Sequence, residues 1–439
     1  MNKEQIKEQI IKTIDDNKEK IINVGREIYK NPEFGYKEVK TTNAVYDFFK
    51  TELKLNAEKE IVVTGAKAVA NENVDGPNIA ILGELDAISC KEHKDSNDIG
   101  ASHTCGHNIQ IAGMLGAAYG LVNSGILDQL AGKVTFMATP AEEFIELEYR
   151  QKLKNEGKIT YFGGKQELVD KGHFDNIDMA MMFHSLDLQD DKALVGPESN
   201  GFIGKKVHFI GKESHAGSAP HEGINALNAA MLAINNVNAL RETFPESERA
   251  RFHPIITKGG DIVNVVPANV EMETYVRART IKGMISINSK VNKALQAGGM
   301  AVGANVEITE IPGYLPILRN YELDNLFKNN LETIGIESNK IVDGGDFTGS
   351  FDFGDISHLM PTLHPMIGGI KGALHTRDFE IIDEDIAYIA PAKAMALTVV
   401  DLLFDDAKEA KTILKDFKPV MNKKEYLDFM QTNDRIIKF

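Results

Sequence analysis

Asn78-Ile79-Ala80-Ile81-Leu82-Gly83 is a short apolar run without alternation, long enough for a strand covered on both faces. Beyond it, Ile109 to Val122 carries a helical pattern, and two further apolar runs follow, Lys133 to Thr139 and Ile177 to Phe183. Apolar runs that alternate with helical patterns predict a mainly parallel sheet with crossover helices, an α/β fold. In open sheets of this kind ligands bind beyond the carboxyl ends of the strands. Asp86, Glu142, Glu143 and His184 all fall at such ends.

Upstream, residues 3 to 30 are expected to be helical, with Ile6, Ile10, Ile14, Ile21, Ile22 and Ile28 near helical spacing. Asn31-Pro32-Glu33-Phe34-Gly35 closes that segment, and a second helix runs from about Glu38 to Leu53. Downstream, the pattern changes near residue 196. Lys205 to Gly211 alternates polar with apolar, as a strand with one wet face does. A helix (223 to 243), two strands (261 to 266 and 270 to 279), a helix (284 to 298) and a strand (302 to 311) complete a β-α-β-β-α-β order. That order predicts an inserted ferredoxin-like α+β unit. The expected division is therefore 1–196 and 313–439 for a helix-flanked catalytic domain and 197–312 for the insert. Helices are expected again at 321–334 and 383–404, with apolar segments around 361–367 and a charged, helical tail.

Composition narrows the function. A chain of 439 residues with 43% hydrophobic content has ample material for two domains. Its formal charge of −15 argues against nucleic acid, which needs a basic footprint. No run of eighteen apolar residues predicts a membrane span, and the charged N-terminus has no apolar signal core. With Cys90 and Cys105 as the only cysteines, a disulfide framework is excluded and a cytoplasmic setting is expected.

One stretch concentrates chemistry: Ser102-His103-Thr104-Cys105-Gly106-His107-Asn108. A glycine turn between Cys105 and His107 could aim both at one ion, although the pair alone reads equally as a buried cysteine beside a surface histidine. His103 reads as a local hydrogen-bonding residue. Adjacent residues leaving a strand point in different directions, so of Glu142 and Glu143 one can bind metal while the other moves a proton. His184 and His375 each follow an apolar segment, and each alone would be structural. Together Cys105, His107, Glu143, His184 and His375 offer five candidate ligands, enough for two divalent ions of a hydrolase. Mixed Cys, His and carboxylate donors tolerate Mn or Zn, and also Co or Ni. A rival reading makes Cys105 a nucleophile with His107 as its base, but residues two apart across a glycine rarely reach that geometry.

The same motifs carry a resemblance. Asn31-Pro32-Glu33, Gly83-Glu84-Leu85-Asp86-Ala87, Cys105-Gly106-His107-Asn108, Pro140-Ala141-Glu142-Glu143, Pro220-His221 and Leu374-His375-Thr376 span nearly the whole chain. In these the chain resembles the co-catalytic metal amidohydrolases and peptidases: hippurate hydrolase, auxin-conjugate hydrolase and carboxypeptidase G, and most nearly the branch of aminobenzoyl-glutamate utilisation protein B. The resemblance implies a metal-dependent hydrolase of amide bonds in N-acyl amino acids, amino-acid conjugates or small dipeptides, with a carboxylate on the substrate. A strict dipeptidase or carboxypeptidase, or a silent peptide-binding member, is the alternative. It implies Cys105, His107, Glu143, His184 and His375 as ligands of two ions, Glu142 as general base, and Asp86 and Asn108 as residues that orient the ligands. It implies a homodimer through the insert, with His215 serving the partner's site and Asn264 and Arg277 holding substrate. The charged stretch Phe144 to Lys158, longer than in such relatives, departs from the pattern.

Overall fold

The computed structural model describes residues 1–439. The chain divides into two compact units, one of Met1–Glu198, Leu318–Asp346 and Ile356–Val420, the other of Ser199–Ile317, Phe347–Asp355 and Met421–Phe439.

In the first unit the strand Asn78–Glu84 is buried at every position, as its unbroken apolar sequence requires. It pairs in parallel with Lys133–Thr139 on one side and Met179–Met181 on the other, and Thr362–Leu363 extends the parallel run. Ala66–Ala70 and Ala57–Lys59 complete a six-stranded sheet with antiparallel pairings. The helix His107–Asn123 is buried from His107 to Leu121 because neighbours enclose it all round. An added Cβ at Gly113, Gly116 or Gly120 would come within 2.4, 2.8 and 2.7 Å of Phe183, Ala392 and Ile14 respectively, so packing reaches the helix backbone itself.

The helix expected over 3–30 is two, Lys3–Asp16 and Lys18–Tyr29, with Asn17 between them at φ −121°. Ile6, Ile10 and Ile14 form the buried stripe of the first. The segment Asp385–Asp416 is long and apolar enough to cross a membrane by length and composition alone, yet 89% of its most apolar window is buried inside the protein. It is a core helix. Phe404, at ψ 158°, leaves helical geometry where the sequence pattern ends. The charged stretch after the glutamates holds a short helix, Leu147–Asn155.

The second unit is a sheet centred on Gly201–Ile210, antiparallel to both Asn269–Ala278 and Asn305–Pro312. Its helices Ala226–Leu240 and Ile281–Met300 bury alanines, Val291 and Leu295 against Val207, Phe209, Met272 and Ile308. The β-α-β-β-α-β order is as read from the sequence, with one correction. Asp261–Val266 is not a strand; the edge strand is Ile255–Lys258. Gly259 and Gly260 interrupt the chain, and Val263 beyond them is 99% exposed, so its apolar side chain joins no sheet face. The C-terminal tail also departs from expectation: 313–439 does not stay with the catalytic unit throughout. Arg435–Lys438 adds a strand to the edge of Asn305–Pro312, and Arg435 Nε donates to Glu310 at 2.7 Å.

Candidate metal centre

Three strand ends of the first unit deliver the acidic groups and one imidazole. Asn78–Glu84 ends on Glu84 and leads to Asp86, Lys133–Thr139 leads to the turn 140–143, and Met179–Met181 leads to His184. Cys105 and His107 arrive on the turn into the central helix, whose N-cap Gly106 lies at φ 79°. A side chain there would be strained, and its Cβ would sit 2.1 Å from Ser185 Oγ. His375 comes from a distant loop, and its N–H donates to the Thr104 carbonyl at 2.9 Å, which seats it beside Cys105.

These side chains converge. Cys105 Sγ lies 3.3 Å from His184 Nε2 and 3.2 Å from His375 Nε2. His375 Nε2 is 3.1 Å from Glu143 Oε1, and Glu142 Oε2 is 3.9 Å from His107 Nε2. Cys105, His107 and His184 form one set whose ligand atoms all lie within 4.8 Å of one another, and Cys105, Glu143 and His375 form a second. The other imidazole nitrogens are engaged from behind. His107 Nδ1 meets the Asp86 carbonyl at 2.8 Å and its carboxylate at 3.2 Å, and His184 Nδ1 meets the Ser185 carbonyl at 2.8 Å. The Nε2 atoms therefore face the cluster. The second oxygen of Asp86 accepts from the Glu143 N–H at 2.9 Å, so one carboxylate steadies both a histidine and a glutamate.

Charge in the cluster is balanced by protons. Burial pushes the Cys105 thiol up and Glu143 adds to this, but His107, His184 and His375 together bring it down to about 6. Burial opposes a charged His375, yet Glu143 and Cys105 push it up to about 12. Burial likewise raises Glu143, and His375 overrides it to hold the carboxyl at about 2. His107 is raised well above its ordinary value against burial, by Cys105 and then Glu84. Thiolate and carboxylates paired with protonated imidazoles form a donor set that divalent cations fit, since cations take the deprotonated forms and displace those protons. Two buried atoms, His107 Nε2 and Glu143 Oε1, meet other donor groups of the cluster, Glu84 Oε2 and His375 Nε2, each at 3.1 Å, which fits the same reading.

The residues expected to orient the ligands divide. Asp86 contacts two of the candidate ligands, His107 and Glu143; Asn108 donates to the Gly25 carbonyl and Tyr388 Oη, at 3.3 and 3.0 Å, and ties helices together. His103 is buried with neither ring nitrogen hydrogen-bonded, contrary to the local bonding expected of it. Burial, and then His107, bring it down to about 3, so it stays neutral. Two contributors were not singled out from sequence. Glu84 Oε2 lies 3.1 Å from His107 Nε2, and its other oxygen accepts from the buried Lys165 at 2.5 Å. Its position at a strand end was the available signal. Arg150, whose guanidinium donates to the carbonyls of Ala141, Phe162 and Glu143, lies inside a charged stretch and left no such signal.

His215, Asn264 and Arg277 belong to the second unit. His215 Nδ1 accepts from the Gly217 and Ser218 N–H groups, both at 3.1 Å, and the Asn264 carbonyl accepts from the Ala216 N–H at 3.0 Å. Both residues thus lie on neighbouring loops. Arg277 lies over the rings of Phe202 and Tyr275 at 5.2 and 5.4 Å and donates to Ser350 Oγ at 2.8 Å.

A mainly parallel sheet whose strand ends gather thiolate, imidazole and carboxylate, in a chain with an inserted α+β unit, has the donor set of a metal-dependent hydrolase. Residues 198–311 match the model of the peptidase dimerisation domain. The chain is 29% identical to the Xaa-Arg dipeptidase of Mus musculus over 446 residues, covering 97% of this chain and 95% of that protein. It is 24% identical to the N-acyl-L-amino acid amidohydrolase of Geobacillus stearothermophilus over 330 residues, 72% of this chain and 82% of the relative. A Bacillus subtilis dinuclear metal-binding peptidase of the M20 family shares the fold at TM-score 0.64 and 20% identity, covering 88% of this chain and 98% of that one. The chain is similar to peptidases and amidohydrolases of the M20 kind, in its inserted domain and along most of its length, and it is a hydrolase acting on amide bonds.

Proposed function

We propose that the protein is a two-metal amidohydrolase that cleaves the amide bond of a small dipeptide or an N-acyl amino acid. The observation that carries this is the pair of donor sets sharing Cys105, with the Glu142 carboxylate beside them. Cys105, His107, Glu143, His184 and His375 would hold the ions, Mn or Zn in the first instance. When bound, divalent ions polarise an amide carbonyl and lower the pKa of water toward neutrality. Glu142 takes the proton of the attacking water and delivers it to the leaving amine nitrogen. Asp86 holds His107 in the tautomer that leaves Nε2 free to coordinate.

Asn264 and Arg277 are proposed to receive the substrate's carbonyl and carboxylate; a planar guanidinium can donate two parallel hydrogen bonds to a carboxylate. The match of 198–311 to a dimerisation domain supports a homodimer in which His215 of the partner subunit completes each site. Relatives named for a dipeptidase and for an N-acyl amino acid hydrolase support the substrate range. Both cysteines are free, which suits a cytoplasmic setting.

Metal analysis tests the reading. Chelator-stripped protein titrated with Mn or Zn should bind two ions per chain, and Cys105→Ser should weaken both. A Cys105→Ser protein that keeps both ions tightly and loses all turnover would point to a thiol nucleophile instead.

A further inference from the structure

The turn Pro140-Ala141-Glu142-Glu143 carries the general base and a ligand side by side, yet no sheet or helix hydrogen bonds fix it. It has left the strand Lys133–Thr139, and Ala141 lies at φ 53°, where a residue with a side chain is strained. On its N–H side two carboxylates hold it: Ala141 N–H donates to Glu38 Oε1 at 2.8 Å and Glu143 N–H to Asp86 Oδ2 at 2.9 Å. On its carbonyl side Ala141 accepts from the Gly164 N–H at 3.1 Å and Glu143 from the Ile145 N–H at 2.8 Å, and the Arg150 side chain bridges the two carbonyls. Its Nη1 donates to the Ala141 carbonyl at 3.4 Å and the Phe162 carbonyl at 2.7 Å, and its Nη2 donates to the Glu143 carbonyl.

Arg150 is 1% exposed, and its guanidinium packs over the rings of Tyr36 and Phe144 at 5.6 and 5.9 Å. All its hydrogen bonds go to backbone carbonyls. Burying a guanidinium costs several kcal/mol of desolvation, so it persists where a rigid fork is worth more than an apolar side chain. The space around it admits little movement: a Cβ on Gly35 would lie 2.7 Å from Arg150 Nη2 and 2.9 Å from Ala141 Cα.

We propose that Arg150, presented by the helix Leu147–Asn155, is a positioning residue for the glutamate pair. It joins the carbonyls of Ala141 and Glu143 so that the two carboxylates leave the turn in fixed, divergent directions. The charged stretch that looks like a solvated surface insertion is then the arm that carries this fork. A lysine could keep the charge but could not reach three carbonyls in one plane. The effect on ions and turnover rests on the two-metal reading; the hold on the turn does not.

The test uses Arg150→Met, Arg150→Lys and Arg150→Gly in the full chain. First, hydrogen exchange in chelated protein should be on the order of tenfold faster for the amides of 141–143, with those of the strand 133–139 unchanged. Second, Co(II) titration followed by the thiolate and d–d bands should show binding of one ion weakened about tenfold or more. Third, kcat should fall roughly 10- to 100-fold with KM nearly constant, because the groups are misplaced and not removed. Guanidinium ion should restore part of the loss to Arg150→Gly. Arg150→Lys replaces Arg150→Met in each comparison if the latter does not fold. Unchanged exchange at 141–143 in a folded variant would overturn the proposal, as would normal Co(II) binding together with normal turnover. If the unaltered protein bound no pair of ions, the two-metal reading would fail while the exchange comparison still decided the role of Arg150.

Discussion

Glu142 and Glu143 are neighbours with different surroundings, and that difference accords with the separate tasks proposed for them. Glu143 faces His375 and Cys105, whereas Glu142 lies toward His107. Glu142→Gln is expected to retain the fold and both ions while losing turnover by roughly 10² to 10⁴-fold, the usual cost of a lost acid-base group; near-normal kcat with full metal content would remove it from the mechanism. Asp86 contacts no ion in this scheme, yet Asp86→Ala should weaken metal binding about 10- to 100-fold, measured by competition with a chromogenic chelator. At this scale much of the site could be read in the sequence. Cys105, His107, Glu143, His184 and His375 each stand beside an apolar run or a glycine turn, and the sheet brings them together. Arg150 could not be read, because an arginine among Lys and Glu looks solvated until the fold shows which face of its short helix is covered.

Among elements, the turn from Cys105 into the central helix tolerates little change. Gly106 needs a left-handed backbone and leaves no room for a Cβ beside Ser185. Gly106→Ala should cost at least about 1–2 kcal/mol for the backbone alone, before the contact is relieved. It should displace Cys105 and His107 together, so thermal midpoint and ion affinity should fall in parallel. An alanine variant with unchanged midpoint and affinity would show the turn to be free to adjust. The strands that the sequence reveals are the buried ones, Asn78–Glu84 and Lys133–Thr139, whose apolar runs have no competing period. Asp261–Val266 misleads because Ile262 and Val263, 60% and 99% exposed, lie on a loop that joins no sheet. The short edge strand Ile255–Lys258 shows no alternation of burial, since all four of its positions lie at least partly exposed.

In the second unit, a buried pair sets the response to acid. Lys205 Nζ lies 2.6 Å from Glu310 Oε1, and Asn288 and Asn292 also donate to that oxygen. Burial pushes the Lys205 ammonium down to about 8 in spite of Glu310. Burial also raises Glu310, but Lys205 and the two asparagines prevail and hold it at about 2, below its ordinary 4.5. The carboxylate has the more numerous donors, so the acid limb carries the effect. A carboxyl depressed in the folded state stabilises it above the ordinary value and ceases to do so as pH falls from about 4.5 through 2. The resistance of the second unit to urea should therefore fall steeply over that window. Glu310→Gln should flatten the slope while lowering stability at pH 7, because Lys205 loses its charge partner; an unaltered slope would assign acid sensitivity elsewhere.

For the whole molecule, the two-unit α/β plan is legible from the change in pattern near residue 196. What the pattern cannot show is the return of the C-terminal strand to the second unit, since four residues, Arg435–Lys438, carry too little periodicity to declare a partner. A site shared between subunits makes its own prediction: His215→Ala and Glu142→Gln proteins, each inactive, should recover activity when mixed and allowed to exchange subunits. Amine release from a panel of dipeptides and N-acyl amino acids, by chelator-stripped protein with and without added Mn or Zn, tests the central claim most directly. Two-ion catalysis predicts no release from stripped protein and restored release, from one substrate class above the others, on adding metal. Release that survives chelation unchanged, or none from any substrate with two ions shown to be bound, would contradict it.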